Sequence, residues 1–255
     1  MPMVRVENCF EIGKLFLGNK EMGMHQIRRS EERGHAEHGW LSAKHSFSFA
    51  SYFDPEWMGF RNLKVINQDR IQPNQGFGTH PHKNMEILTY IMRGELKHKD
   101  SMGNEAIIRP GEIQRMTAGK GVTHSEWNSS STEVTELLQI WIEPSVTGLD
   151  PSYEQVNIES VLESGERTLI ASLEGGPNAV KIHQDVDLYL ARWKEARSEV
   201  VSLKPDRHVW IQVISGSLIA NSVQLDAGDA IAFSNETSVS LEGSGICEYL
   251  LFDLN

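Results

Sequence analysis

Apolar and polar residues along this chain alternate over short runs, and glycine, proline or asparagine ends a run about every eight to twelve residues. Side chains on an extended strand point to opposite faces in turn, so such a run buries one face and wets the other. Phe47 and Phe49 mark one strand face, ahead of a turn at Asp54-Pro55. Leu63 and Val65 open a strand that runs to Ile71, and Pro73-Asn74-Gln75-Gly76 turns the chain. Strand chemistry resumes over residues 87–91, 96–99, 107–108, 113–116 and 137–142. Between these runs lie turns at Arg93-Gly94-Glu95, Ser101-Met102-Gly103-Asn104 and Pro110-Gly111-Glu112. The pattern predicts an all-β fold built as an antiparallel sandwich or barrel. Residues 189–197 suit a short helix, and a strand nearly as well.

The pattern also repeats. Val213-Ile214-Ser215-Gly216-Ser217-Leu218 matches Ile91-Met92-Arg93-Gly94-Glu95-Leu96 at an offset of 122 residues, and Ala227-Gly228-Asp229 matches Pro110-Gly111-Glu112 at 117. Two tandem units of one architecture follow, with the boundary in the Pro- and Gly-punctuated stretch that opens at Glu143-Pro144. We therefore expect two antiparallel β-barrel domains, residues 24–143 and 144–255. Residues 1–23 hold Phe10, Ile12, Leu15, Phe16 and Leu17, interrupted by Glu11, Gly13 and Lys14 before a signal-peptide core can form. They are read as an extension ahead of a second start at Met24, outside the folded body.

The chemistry concentrates in two segments of the first unit. Gly76-Phe77-Gly78-Thr79-His80-Pro81-His82-Lys83-Asn84-Met85-Glu86 places two histidines on one strand face, and Gly119-Lys120-Gly121-Val122-Thr123-His124-Ser125-Glu126 does the same with a histidine and a carboxylate. If the two strands lie side by side, His80, His82, His124 and Glu126 converge, and three imidazoles with one carboxylate suit a borderline divalent metal. One His-x-His pair in a chain with ten histidines is weak evidence. The recurrence of the same gap after a second glycine-rich approach makes the set a metal candidate. Glu86 competes with Glu126, because a turn at Lys83-Asn84 could fold it back toward the histidines. Carrying the repeat offsets across puts Ser202, Lys204 and Leu241 at the positions of His80, His82 and His124, so one metal per chain is expected and none in the second unit. The irregularly spaced His25, His35, His38 and His45 read as solvated loop histidines. Phe77, Trp127 and Trp141 are candidates for a wall that stacks a flat ligand.

A net charge of −11 argues against nucleic acid and anionic membrane as partners. Hydrophobic content of 39% is that of an ordinary soluble protein. Cys9 and Cys247 are the only cysteines, which offers no disulfide framework and points to a reducing, cytoplasmic location.

From about Met24 to the C-terminus the chain resembles the cupins, and more closely the pirin family of bicupins. His80-Pro81-His82 with Glu86 resembles the first cupin motif, and Gly121-Val122-Thr123-His124 with Asn128 resembles the second. Asn74 stands where cupins carry a glycine before the first histidine, and the gap from Glu86 to Gly94 is one residue longer than usual. The run from Gly78 to Glu86, with Asp100-Ser101-Met102-Gly103-Asn104, looks like bacterial pirins described as quercetin 2,3-dioxygenases. That resemblance implies jelly-roll barrels and Glu126, rather than Glu86, as the fourth ligand. It also implies one divalent transition metal, iron first, with manganese, cobalt, nickel, copper or zinc as alternatives. The implied reaction joins a flavonol to dioxygen and releases carbon monoxide with a depside, with Glu126 as base. The family's nuclear members imply a second reading, a metal-bound redox sensor that regulates through a protein partner.

Overall fold

A computed structural model of the chain describes residues 24–255. The extension reading of residues 1–23, and Cys9 with it, lies outside the described residues. The first half contributes β1 (Met24–Arg28), β2 (Gly34–Glu37), β3 (Leu41–His45), β4 (Leu63–Ile71), β5 (Gln75–His82), β6 (Glu86–Arg93), β7 (Leu96–Asp100), β8 (Glu105–Ile108), β9 (Glu112–Thr117), β10 (Val122–Asn128) and β11 (Thr135–Ile142). The second contributes β12 (Ser152–Asn157), the short α-helix α1 (Glu159–Leu162), β13 (Thr168–Ser172), β14 (Val180–Lys181), β15 (Val186–Trp193), β16 (Arg197–Ser202), β17 (His208–Ala220), β18 (Val223–Asp226), β19 (Ala230–Ser234), β20 (Ser238–Gly243) and β21 (Cys247–Leu254). The fold is all-β as the alternation predicts, and residues 189–193 belong to the strand β15. The face shared by Phe47 and Phe49 is not a strand. Phe49 and Tyr52 instead exchange backbone hydrogen bonds of 3.0 and 2.9 Å across a tight turn.

Three sheets stack in layers. A four-stranded sheet, β5-β10-β7-β8, covers one face of a seven-stranded sheet, β12-β9-β6-β11-β4-β3-β2. Leu96, Ile108 and Phe77 from the first pack on Leu41, Ala43, Ile71, Ile91 and Leu137 from the second. The other face of the seven-stranded sheet meets the ten-stranded sheet of the second half, where Leu88, Tyr90 and Ile140 pack with Leu190, Trp210, Leu250 and Phe252. A central strand between two packed layers must be apolar on both faces, and β6 is buried from Glu86 to Ile91. No sheet closes into the expected barrel: the four- and seven-stranded ladders end at edge strands, and the ten-stranded one branches at β17, where β18 and β20 leave the main path. The halves also exchange strands across residue 143. β1 pairs with β19 of the second half, and β12 pairs with β9 of the first.

In the second half the interior is filled rather than hollow. Leu241 is fully buried with Val201, Leu218, Trp193 and Tyr249. Its partner across the ladder is Glu199, so the repeat slips by a few residues from the Ser202 position expected from the sequence. Lys204 lies beyond the end of β16. No helix among the described residues is long and apolar enough to cross a membrane.

Candidate metal centre

The centre forms between the four- and seven-stranded sheets because β10 sits between β5 and β7. His124 pairs with His80 on one side and Asp100 on the other, while Glu126 pairs with Phe77 and His98. Alternation turns Val122, His124, Glu126 and Asn128 inward, and all four are buried. A bulge interrupts β5, with Gly78 and Thr79 set against the single residue Ser125. It brings Phe77, one residue out of phase, to the face of His80, where the rings lie 6.3 Å apart. The two strands approach closely at Gly76, where a Cβ would lie 2.2 Å from the Glu126 carbonyl oxygen. Glycine is the residue that this contact admits.

His80, His82 and His124 present nitrogens that lie within 4.8 Å of one another. The His80 Nδ1–H donates to the Gly78 carbonyl at 2.7 Å, which fixes the proton there and leaves Nε2 as the bare nitrogen. That Nε2 stands 3.0 Å from Nε2 of His124. Glu126 does not fall in the same group. It clusters within the same distance of His124 and His98, so His124 is common to two triads. Gln139 on β11 donates from Nε2 to Glu126 Oε2 at 2.8 Å, and the Trp141 indole donates to Gln139 Oε1 at 3.3 Å. Glu126 Oε1 is sealed from solvent and has no hydrogen-bond partner.

Charge in this pocket is expensive. Burial, reinforced by His80, lowers His82 to about 4, and burial with the neighbouring imidazoles lowers His124 to about 2. Burial raises Glu126, against the Gln139 hydrogen bond and the field of His80. Neutral imidazoles beside a carboxylate with one orphaned, inward-facing oxygen are a donor set that fits a divalent transition-metal ion, which would offset the desolvation of Glu126.

Glu86, the competing carboxylate, points the other way. Asn84 adopts the left-handed conformation at φ 50° and ends β5, and β6 then carries Ile87 and Thr89 toward the centre and Glu86 toward the second half. There its Oε1 accepts from His183 Nδ1 at 2.9 Å and its Oε2 accepts from Thr117 Oγ1 at 2.8 Å. His183→Ala would leave that buried carboxylate with one donor fewer, and we expect a loss of about 1–3 kcal/mol in urea unfolding with unchanged metal content. Of the three aromatic candidates, Trp141 lies 5.0 Å from the His82 ring and Phe77 packs edge-on to Trp40 at 5.2 Å. Trp127 is corrected: it stands on the outer face of β10, 40% exposed.

Sequence reasoning missed His98, Gln139 and Asp69. His98 is fully buried, 5.2 Å from the His124 ring, with its Nε2 3.4 Å from Asp100. Its place between Leu96 and Asp100 in an alternating run was visible, but not that β7 would lie against β10. Asp69 on β4 is fully enclosed, and burial with the nearby Glu126 charge pushes it up to about 7. His45 departs from the loop-histidine reading, since β3 carries it into the interior.

The comparisons agree with this architecture. Residues 26–142 match the family model described as Pirin, and residues 169–254 match that of the quercetinase C-terminal cupin domain. Quercetin 2,3-dioxygenase of Escherichia coli K12 is 47% identical over 230 residues, covering 89% of this chain and 97% of the relative. The chain belongs to the pirin family. Among solved structures, YhhW from Escherichia coli superposes on this pirin with a TM-score of 0.88 at 45% identity, over 91% of this chain and 98% of that one. A bacterial pirin YhhW structure in complex with nickel(II) gives 0.87 at 44% identity, over 91% and 99%.

Proposed function

We propose that this pirin is a metal-dependent dioxygenase that converts a flavonol such as quercetin and dioxygen into a depside and carbon monoxide. The observation that carries the reading is the buried carboxylate of Glu126, held by Gln139 through one oxygen and left open through the other, clustered with His124, the histidine that also groups with His80 and His82. In this assignment His80, His82, His124 and Glu126 hold one divalent transition ion. Iron is the first choice, and manganese, cobalt, nickel, copper and zinc are alternatives. The similarity to the Escherichia coli quercetin 2,3-dioxygenase and to the nickel-bound YhhW supports it. We assign residues 24–143 as the metal-binding cupin unit and 144–255 as a cupin-like unit without ligands, its interior closed by Leu241 and Trp193.

When bound, the ion supplies Lewis-acid stabilisation of the anion formed from the flavonol 3-hydroxyl. The protein's own part is to receive that proton and keep water away. Glu126 is the acceptor, because burial raises its proton affinity and its Oε1 has no competing donor. Gln139, fixed by the Trp141 indole, keeps the carboxylate from rotating as it gains or loses the proton. Trp141 and Phe77 wall the imidazoles with apolar surface.

The test is oxygen uptake with carbon monoxide detection, using protein purified without a metal-affinity tag and loaded with each metal in turn. Lack of oxygen consumption with every flavonol and every metal would sink the dioxygenase and return the regulatory reading. A second expectation concerns protons. A ligand whose pKa lies below the working pH needs no deprotonation, so metal uptake at pH 6 should release no proton from His82 or His124. Calorimetry in two buffers of different ionisation enthalpy measures the total, and a release above two protons per ion, more than His80 and Glu126 together can supply, would contradict it.

A further inference from the structure

Beside the histidines, β2, β3 and the turn that follows β3 enclose a cavity of about 420 Å³. Trp40, Phe49, Tyr52, Phe77 and His45 line it. The inner wall touches the metal ligands. Phe77 packs against His80, and Phe49 packs edge-on at 5.3 Å against Trp141, which itself packs on His82. A cavity of this size with aromatic walls suits a planar organic ligand.

The exposed His35, His38 and Ser51 also line it, and its buried polar content is selective. Tyr52 offers its ring, since its hydroxyl already accepts from Arg28 at 2.7 Å and donates to Asp54 at 3.1 Å. His45 is 4% exposed, and its Nδ1–H donates to Asn67 Oδ1 at 2.8 Å. That bond keeps the imidazole proton on Nδ1, so Nε2 is a bare acceptor, and it has no partner among the described residues. Burial favours the neutral ring. A buried acceptor between aromatic walls selects a ligand that brings an O–H to it, because a ligand without one leaves the nitrogen desolvated and unpaired.

We propose that this cavity receives the hydroxylated phenyl ring that a flavonol such as quercetin carries on the carbon next to its reacting 3-hydroxyl, with His45 Nε2 accepting a phenolic O–H. His45 is then a specificity-determining residue. The inference rests on the flavonol reading above, and its test is independent of turnover. Metal-loaded protein is titrated without oxygen, by tryptophan fluorescence, with quercetin and with a flavonol that has no hydroxyl on that ring. Quercetin should bind the wild type about tenfold more tightly, which is about 1.4 kcal/mol. His45→Phe should remove that difference by weakening quercetin alone, with metal content and melting temperature recorded to show a folded, loaded protein. Trp40→Leu should weaken both flavonols. Equal affinities in the wild type would overturn the proposal without any variant, as would a His45→Phe protein that binds quercetin as tightly as the wild type. Oxygen uptake read separately in air decides the flavonol-cleavage reading, so the two can fail independently.

Discussion

Glu126→Gln is expected to lower kcat by about 10²–10⁴-fold, the usual contribution of a positioned general base. The amide keeps the size of the carboxylate but has one oxygen, whereas Glu126 uses two for different ends. One accepts from Gln139, and the other is buried without a hydrogen-bond partner. A glutamine that keeps the Gln139 contact must turn its NH₂ inward, and an amide nitrogen neither takes a proton nor ligates a cation. Three imidazoles remain, so metal affinity should fall less than turnover. Glu86→Gln is the control, because that carboxylate lies on the opposite face of β6 between His183 and Thr117. It should retain its metal and kcat within about twofold. If Glu86→Gln instead lost the metal while Glu126→Gln turned over normally, the carboxylate assignment would be reversed.

The second large effect is expected at His124. It belongs to both triads, and its ring lies 4.5 Å from His80, 4.8 Å from His82 and 5.2 Å from His98. Outer residues that orient a ligand typically change metal affinity by about 10–100-fold. Loss of the shared ligand in His124→Ala should exceed that range, and His82→Ala should follow it, with folding largely intact in each. Plasma emission spectrometry on dialysed protein measures the occupancy, expected at one ion per wild-type chain. His98→Ala separates the two triads: it should stay within the outer-residue range. If it empties the site while His80→Ala and His82→Ala stay loaded, the ion belongs with His98, His124 and Glu126. Two ions per wild-type chain, the second surviving loss of His80 and His82, would refute the ligand-free second half.

How much of this was legible depends on how local each feature is. Alternation within a strand involves neighbours only, so the all-β character and the pairing of His80 with His82 and of His124 with Glu126 could be read from residues a few positions apart. The same logic gives the buried phase of β10. Which strands lie side by side depends on contacts between distant segments, and that was decided in three dimensions. Placing β10 between β5 and β7 brought His98 to Glu126, and stacking β11 beneath them supplied Gln139. The bulge at Gly78 and Thr79 shifted Phe77 by one residue, which no strict period of two can anticipate. Glu86 lost its candidacy because β6 has two buried faces and its phase turns the carboxylate to the second half, whereas composition marks both faces alike. The same holds for the exchange of β1 and β12 between the halves, since a strand's sequence specifies which face is apolar but not which sheet will cover it.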